Sequence, residues 1–153
     1  MSTLNGLPAH VLLVHAMVVL VPLTALLLIV SAVWPAARRR LIWPAAVLAV
    51  VVTALTPLTT EAGEWLEQRL GASPAIEKHA ELGDQMLNYV LALLFTAVML
   101  VIVHVTEGRG RPVPRFMLAI VAVLVVAASV SATVQTYRVG DSGAQAVWGG
   151  IGG

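Results

Sequence analysis

The stretch His10-Val-Leu-Leu-Val-His15-Ala-Met-Val-Val-Leu-Val-Pro22-Leu-Thr-Ala-Leu-Leu-Leu-Ile-Val-Ser-Ala-Val33 contains no charged side chain. As a helix rising 1.5 Å per residue it crosses a hydrocarbon core of ~30 Å. A helix is required, because backbone polar groups in lipid must satisfy one another. The alternative is a cleaved signal peptide, for which Pro35-Ala-Ala37 offers a weak small-residue site. Such peptides begin with basic residues and carry a core of roughly 7 to 15 apolar residues. Met1 to Pro8 holds no Lys or Arg, and this core is longer. The stretch reads as a permanent span.

The rest of the chain agrees. With 59% hydrophobic and 11% charged residues among 153, it is too apolar for an ordinary soluble domain. Further runs at 41–58, 86–105 and 116–134 join 11–33 to make four spans in a single transmembrane domain. The expected fold is therefore all-α, an integral membrane four-helix bundle whose first partner is the lipid bilayer. Pro22 and Pro57 lie inside spans, where a missing N–H loosens a helix. Apart from similar hairpin lengths, no motif recurs between the two halves.

Orientation follows from the arginines. Arg38, Arg39 and Arg40 fill the first connection, and Arg109, Arg111 and Arg115 the third; only Arg69, Lys78 and Arg138 lie opposite. The positive-inside rule then puts both termini outside the cytoplasm. All acids except Glu107 fall on the outer side. The expected location is a membrane crossed several times, with the arginine-rich connections on its cytoplasmic side. A net charge of +1 gives no basic arm for nucleic acid.

The segment 60–85 between spans two and three reads as extracytoplasmic and helical. Glu61 to Leu70 continues span two, and Gly71 is a C-terminal stop. Ser73 fits an N-cap, with Pro74 in the first turn and Glu77 near the positive helix end. This helix is expected to run into span three. The glycine-rich tail 140–153 is either a packed re-entrant cap or a mobile end.

Polar groups inside a membrane are costly, so their placement is informative. Thr53, Thr56, Thr60 and Glu64 share one helical face. Ser129, Thr133 and Thr136 form a second stripe; Glu77, Glu81, Asp84 and Asn88 form a third. All three grow more polar toward the end that carries His10, His15 and His79. The expected polar interior comprises Thr56, Thr60, Asn88, Thr133 and Asp141. Ordinary helix packing through small residues, with interhelical hydrogen bonds, is the simpler account of the stripes. His10 and His15 point ~140° apart and differ by ~7.5 Å in depth, so they cannot chelate one ion as an i, i+4 pair would. His15 is expected to face the interior, and His10 the interface. His104 lies ~37 Å from His79 if the intervening chain is helical, too far to share a ligand.

With no cysteine, thiolate metal sites, iron–sulfur clusters and disulfides are excluded. Any cofactor must be held by other side chains. The candidate cofactor ligands are His15, His79 and His10, and the candidate metal ligands are His15, His79 and Glu64. Haem b takes two axial ligands, and the three outer histidines lie at poorly matched depths for that; the cofactor is left open, with haem b as one option. No nucleophile elbow, phosphate loop or His-Glu-x-x-His motif is present, so no catalytic residue is assigned and an enzyme is not expected.

The opening GLPAHVLLVHAMVVLVPL and the ending YRVGDSGAQAVWGG resemble an uncharacterised bacterial membrane family, domain of unknown function number 2231. Members open with a His-Pro-x-x-Val-His-Phe-Pro-like motif and, in actinobacterial forms, end with Gly-His/Asp-Ser-Gly-Ala. Here Val11 replaces the first proline, Ala16 and Met17 replace Phe-Pro, and Asp141 takes the His/Asp position. The resemblance covers nearly the whole chain. It implies four spans, in some members an association with redox domains, and no established activity.

The leading expectation is thus an accessory or structural subunit of a membrane assembly, its partner a membrane redox or other protein. The alternatives are a haem b or metal module with its site near the outer face, and an oligomeric transporter or proton pathway lined by His15, Glu64 and Asn88. Oligomeric state is left open.

Overall fold

A computed structural model describes residues 3–4, 7–71 and 73–149. Gly6, which opens the family-like motif, and 150–153 of the tail lie outside the described residues. The elements in chain order are β1 (Thr3–Leu4), β2 (Leu7–Pro8), α1 (Ala9–Val33), α2 (Pro35–Leu70), α3 (Pro74–Asp84), α4 (Met86–Gly108) and α5 (Arg115–Trp148). The strands form a minimal antiparallel ladder, Thr3 opposite Pro8 and Leu4 opposite Leu7. Everything else is helix. Four candidate spans are long and apolar enough to cross a membrane: α1, α2, α5, and α3 taken with α4. The four expected runs fall within α1, α2, α4 and α5.

The local signals explain the boundaries. Gly71 ends α2 at φ 85°, a conformation that side chains with a Cβ avoid, and its N–H bonds to the Glu67 carbonyl. Ser73 caps α3, its hydroxyl accepting from the Ile76 N–H at 3.3 Å. Between α3 and α4 only Gln85 intervenes, and it keeps αR geometry, so the two form an almost continuous rod. Of the tail, the described part from Gly140 continues α5 as helix to Trp148.

α1 packs along α2 and α5, and α4 packs along the same two helices. α1 and α4 face each other only across the bundle diagonal. At 36 and 34 residues, α2 and α5 are each about 50 Å long, well beyond a hydrocarbon core of ~30 Å. Their last turns overshoot at the end where α1 begins and α3 lies. That is the histidine end; the opposite one, with the α1–α2 corner and the α4–α5 connection, is the arginine end.

The core runs down the middle of this square. Val21, Leu28, Ile42, Ala45, Ala49, Val52, Val90, Leu93, Ala97, Val125 and Ala132 are completely buried. Leu26, Val47, Phe95, Ile102 and Val123 are exposed on the outside. That pattern suits lipid: outward apolar groups cost nothing there, and close packing of small residues, rather than a hydrophobic driving force, holds the helices together. The hydroxyl stripes bridge helices only through long contacts, one of them from Thr136 to Met86 Sδ at 3.9 Å. Thr24, Thr53, Thr56, Thr133 and Thr136 all donate to the carbonyl one turn back in their own helix. The contact from Thr53 to the Val90 carbonyl, at 3.5 Å, is the long secondary branch of such a bond.

The expectation of no internal repeat is corrected at the level of packing. One constant offset carries the buried α1 positions Met17, Val21, Thr24, Leu28 and Ser31 onto the buried α4 positions Met86, Val90, Leu93, Ala97 and Leu100. Another carries Ala45, Ala49, Val52 and Thr56 of α2 onto Val125, Ser129, Ala132 and Thr136 of α5. The helix pairings obey the same exchange, since α1 against α5 maps onto α4 against α2. The two hairpins therefore share much of one buried register, although Ala25, Ile42, Thr96, Val121 and Gln135 are buried without a buried counterpart.

Candidate functional site

The shared register extends past the core to the histidine end. The offset that relates α1 to α4 takes His10 onto His79, and the offset that relates α2 to α5 takes Thr59 and Gly63 onto Val139 and Gly143. Each histidine lies across the long helix of its own hairpin. His10 Nδ1 is 2.9 Å from the Thr59 carbonyl oxygen, and His79 Nδ1 is 3.1 Å from that of Val139. A carbonyl only accepts, so Nδ1 carries the proton in both rings. Four residues on, a glycine makes room for each ring. A Cβ on Gly63 would come within 2.9 Å of His10 Cε1, and one on Gly143 within 3.0 Å of His79 Cε1. The two glycines therefore let an imidazole lie against the helix.

The two rings meet. Their centroids are 6.0 Å apart with planes at 83°. Neither Nε2 has a hydrogen-bond partner among the described residues. With Nδ1–H committed to a carbonyl, each neutral ring keeps its lone pair on Nε2. Metal-binding histidines are commonly fixed this way, the second nitrogen donating to a carbonyl so that tautomer and orientation are set.

The halves differ in one respect. His79 also has the Ser142 hydroxyl 3.0 Å from Nδ1, and that hydroxyl donates to the Val139 carbonyl at 2.9 Å. Gln135, almost completely buried, donates to the Leu82 carbonyl at 2.8 Å and fastens the end of α3 to α5. Burial holds the His79 pKa below the ordinary histidine value, and the neighbouring His10 charge adds to this; the Val139 bond opposes them in part.

Other expected residues fall elsewhere. His15 is exposed, and its Nδ1 bonds the Val11 carbonyl of its own helix at 2.6 Å. The buried face of α1 is set by Met17, Val21 and Thr24, and His15, two residues before Met17, points ~160° away from it. The expectation of an interior-facing His15 is overturned. Glu64 is exposed beside the inward Gly63, Asn88 is exposed between buried Met86 and Val90, and Asp141 is exposed beside buried Ser142. Steps of one or two residues swing each of them off the packed face. Asp141 accepts instead from Gln145 at 2.8 Å. Thr56 is buried as expected, and Thr60 and Thr133 are partly so. No polar pathway through His15, Glu64 and Asn88 crosses the interior of one chain. Among the described residues no group of three or more His, Cys, Asp or Glu is placed to hold a metal ion.

At the arginine end, Arg38 is 3% exposed and its Nη2 reaches both carboxylate oxygens of Glu107, at 3.1 and 2.9 Å. His104 sits edge-on to Trp43, with centroids 6.3 Å apart. Sequence reasoning did not pair these residues. It also passed over Gly63 and Gly143, whose signal was a glycine inside a helical pattern, a feature that marks close approach of another group.

No curated protein and no solved structure matches the chain. A family described as "Predicted membrane protein (DUF2231)" matches residues 6–152. Four apolar helices packed in a square, and a match that runs nearly from end to end, lead to one conclusion: the chain belongs to the predicted membrane protein family DUF2231.

Proposed function

We propose that this protein is a small membrane module that holds a metal-centred group at the histidine end, with His10 and His79 as its two protein ligands and haem b as the group that suits them best. The observation that carries this reading is the paired seating of the two imidazoles, each with Nδ1 bound to a carbonyl and Nε2 free. Zinc sites ordinarily take three or four protein ligands, and no third ligand accompanies this pair among the described residues. Haem iron needs only two axial ligands, because the porphyrin supplies the others. A haem held there would take His10 and His79, whose rings meet edge to face at 6.0 Å, as its protein ligands and would supply one-electron chemistry. By the arginine count the histidine end is extracytoplasmic and both termini lie outside, in the cytoplasmic membrane of a bacterium.

The test is a reduced-minus-oxidised absorption spectrum of the detergent-purified chain expressed with haem supplied, together with elemental analysis. An α-band present in the parent and in His15→Leu, and lost in His10→Ala and His79→Ala, is the expected result. A colourless, metal-free preparation, or a band that survives both alanine variants, would sink the proposal.

A second reading, an accessory subunit, is favoured by a shallow groove between α4 and α5. Ala92, Thr96, Ala127, Ala128 and Ser131 line it together with exposed Asn88. Small side chains with an outward amide suit close approach of a partner's helix. Co-purification in mild detergent, compared with an Ala128→Leu variant that fills the groove, tests it.

A further inference from the structure

The arginine end is charged far beyond what the chain neutralises. Six arginines (38, 39, 40, 109, 111 and 115) stand there against one acid, Glu107. That acid is already taken: both of its oxygens face buried Arg38. The pair joins the first turn of α2 to the last turn of α4, and so gathers Arg39 and Arg40 beside Arg109 and Arg111. These four, with Arg115, are exposed. No carboxylate bridges any of them among the described residues, where the only ion pair is Arg38 with Glu107.

The helix ends do not supply the missing negative charge. α2 and α5 both begin here, with no acid in the first turn and no side-chain cap, since Trp34 and Pro114 occupy the N-cap positions. The C-terminal ends of α1 and α4 arrive at the same level and offset these dipoles. The surplus is therefore the five guanidinium groups themselves. Their depth is marked by Trp34, Trp43 and Phe116, all more than half exposed at the same end. Exposed tryptophans of membrane helices lie at the level of the lipid headgroups. Guanidinium forks at that depth face phosphate oxygens, which they bind in bidentate fashion.

We infer that this end binds the headgroups of anionic phospholipids, with Arg39 and Arg40 on one side and Arg109, Arg111 and Arg115 on the other as the phosphate contacts. The inference does not depend on what the histidine end holds. Arg38 has no part in it, being occupied by Glu107; its task is to bring the two basic segments together. Each arginine near an anionic surface favours association by roughly fivefold.

Native mass spectrometry of the whole, delipidated chain, given equimolar dioleoyl phosphatidylglycerol and dioleoyl phosphatidylcholine, is the test. Retained phosphatidylglycerol should exceed phosphatidylcholine by about tenfold or more. The quadruple variant R39Q/R40Q/R109Q/R111Q, which keeps only Arg115 of the five contacts, should lower the ratio several-fold, whereas R69Q/K78Q/R138Q, at the other end, should leave it unchanged. Should the quadruple variant fail to fold, the parent at raised salt serves instead, because screening must erode the preference. Equal retention of the two lipids by the parent, or a preference that survives both the substitutions and the salt, overturns the inference. So does displacement of phosphatidylglycerol by equimolar inorganic phosphate, which would show a free-anion site rather than a lipid one.

Discussion

At the arginine end a charged side chain is buried and answered by a carboxylate; at the histidine end two imidazole rings are laid on helix backbone and one nitrogen of each is left unanswered. Arg38 and Glu107 join the two hairpins through a contact that is complete in itself. His10 and His79 each bond within their own hairpin and meet only ring to ring. The first arrangement fixes the bundle. The second leaves coordinating capacity at the point where the two hairpins come together. The difference teaches that a polar side chain in a membrane protein is informative less by its presence than by whether its bonding is finished.

The sharpest way to break that comparison is Glu107→Gln. It leaves the Arg38 charge buried with a neutral partner, and breaking a buried pair from one side costs about 3–5 kcal/mol. Glu107 is 37% exposed, so water replaces part of the lost interaction, and we expect about 2 kcal/mol. The double variant R38M/E107Q, with no charge left to bury, should recover most of it. Unfolding of reconstituted protein measures both. A loss under about 0.5 kcal/mol for the single variant, the range of ordinary surface substitutions, would mean that the pair does not hold that end.

The second prediction separates site from scaffold. In Gly63→Ala and Gly143→Ala the new methyl meets the His10 or His79 ring at about 3 Å, so the ring must shift against its carbonyl and its Nε2 moves with it. Alanine in place of a helical glycine is itself worth roughly 0.5–1 kcal/mol, so overall stability should change by less than about 1 kcal/mol. Ligand retention at the histidine end should nevertheless fall by tenfold or more. Gly83→Ala, with nothing within 4 Å of the added carbon, should keep the ligand fully. Equal retention in all three variants would remove the glycine seats from the account.

These seats also show where reading the sequence stops. Apolar run lengths, Gly71 and Ser73 made the helices and their ends legible, because span length and capping are local properties. The pairing of His10 with His79 was not legible. It depends on which helices neighbour one another and on how far α2 and α5 overshoot, which no local pattern states. His15 drew the eye because an imidazole deep in an apolar run looks expensive, yet it meets that cost inside its own helix through the Val11 carbonyl. The correspondence between the hairpins stayed hidden for a related reason: what they share is a register of buried positions, and different apolar residues fill them equally well.

The smallest effect is one of pH, and it applies to His79 alone. Burial, and then the charge of His10, hold its pKa below the ordinary value of 6.5. In the folded chain the neutral ring is therefore favoured. As pH falls below about 6.5 the unfolded chain takes up a proton that the folded chain resists, so ν is larger in the unfolded state and stability decreases. The loss continues until pH drops under the lowered folded-state value, where both states are protonated and the slope vanishes; above about 6.5 it is absent. What weakens is the seat of α3 on α5, because burial and the contact with His10 favour the neutral ring, and the bond to Val139, which favours the protonated one, offsets them only in part. Hydrogen exchange of the α3 amides should speed up on going from pH 7 to pH 5 relative to those of α4, after correction for intrinsic rates, and His79→Gln should flatten the difference. An α3 whose protection is the same at both pH values would show that Gln135 and its bond to Leu82 hold the helix without help from the imidazole.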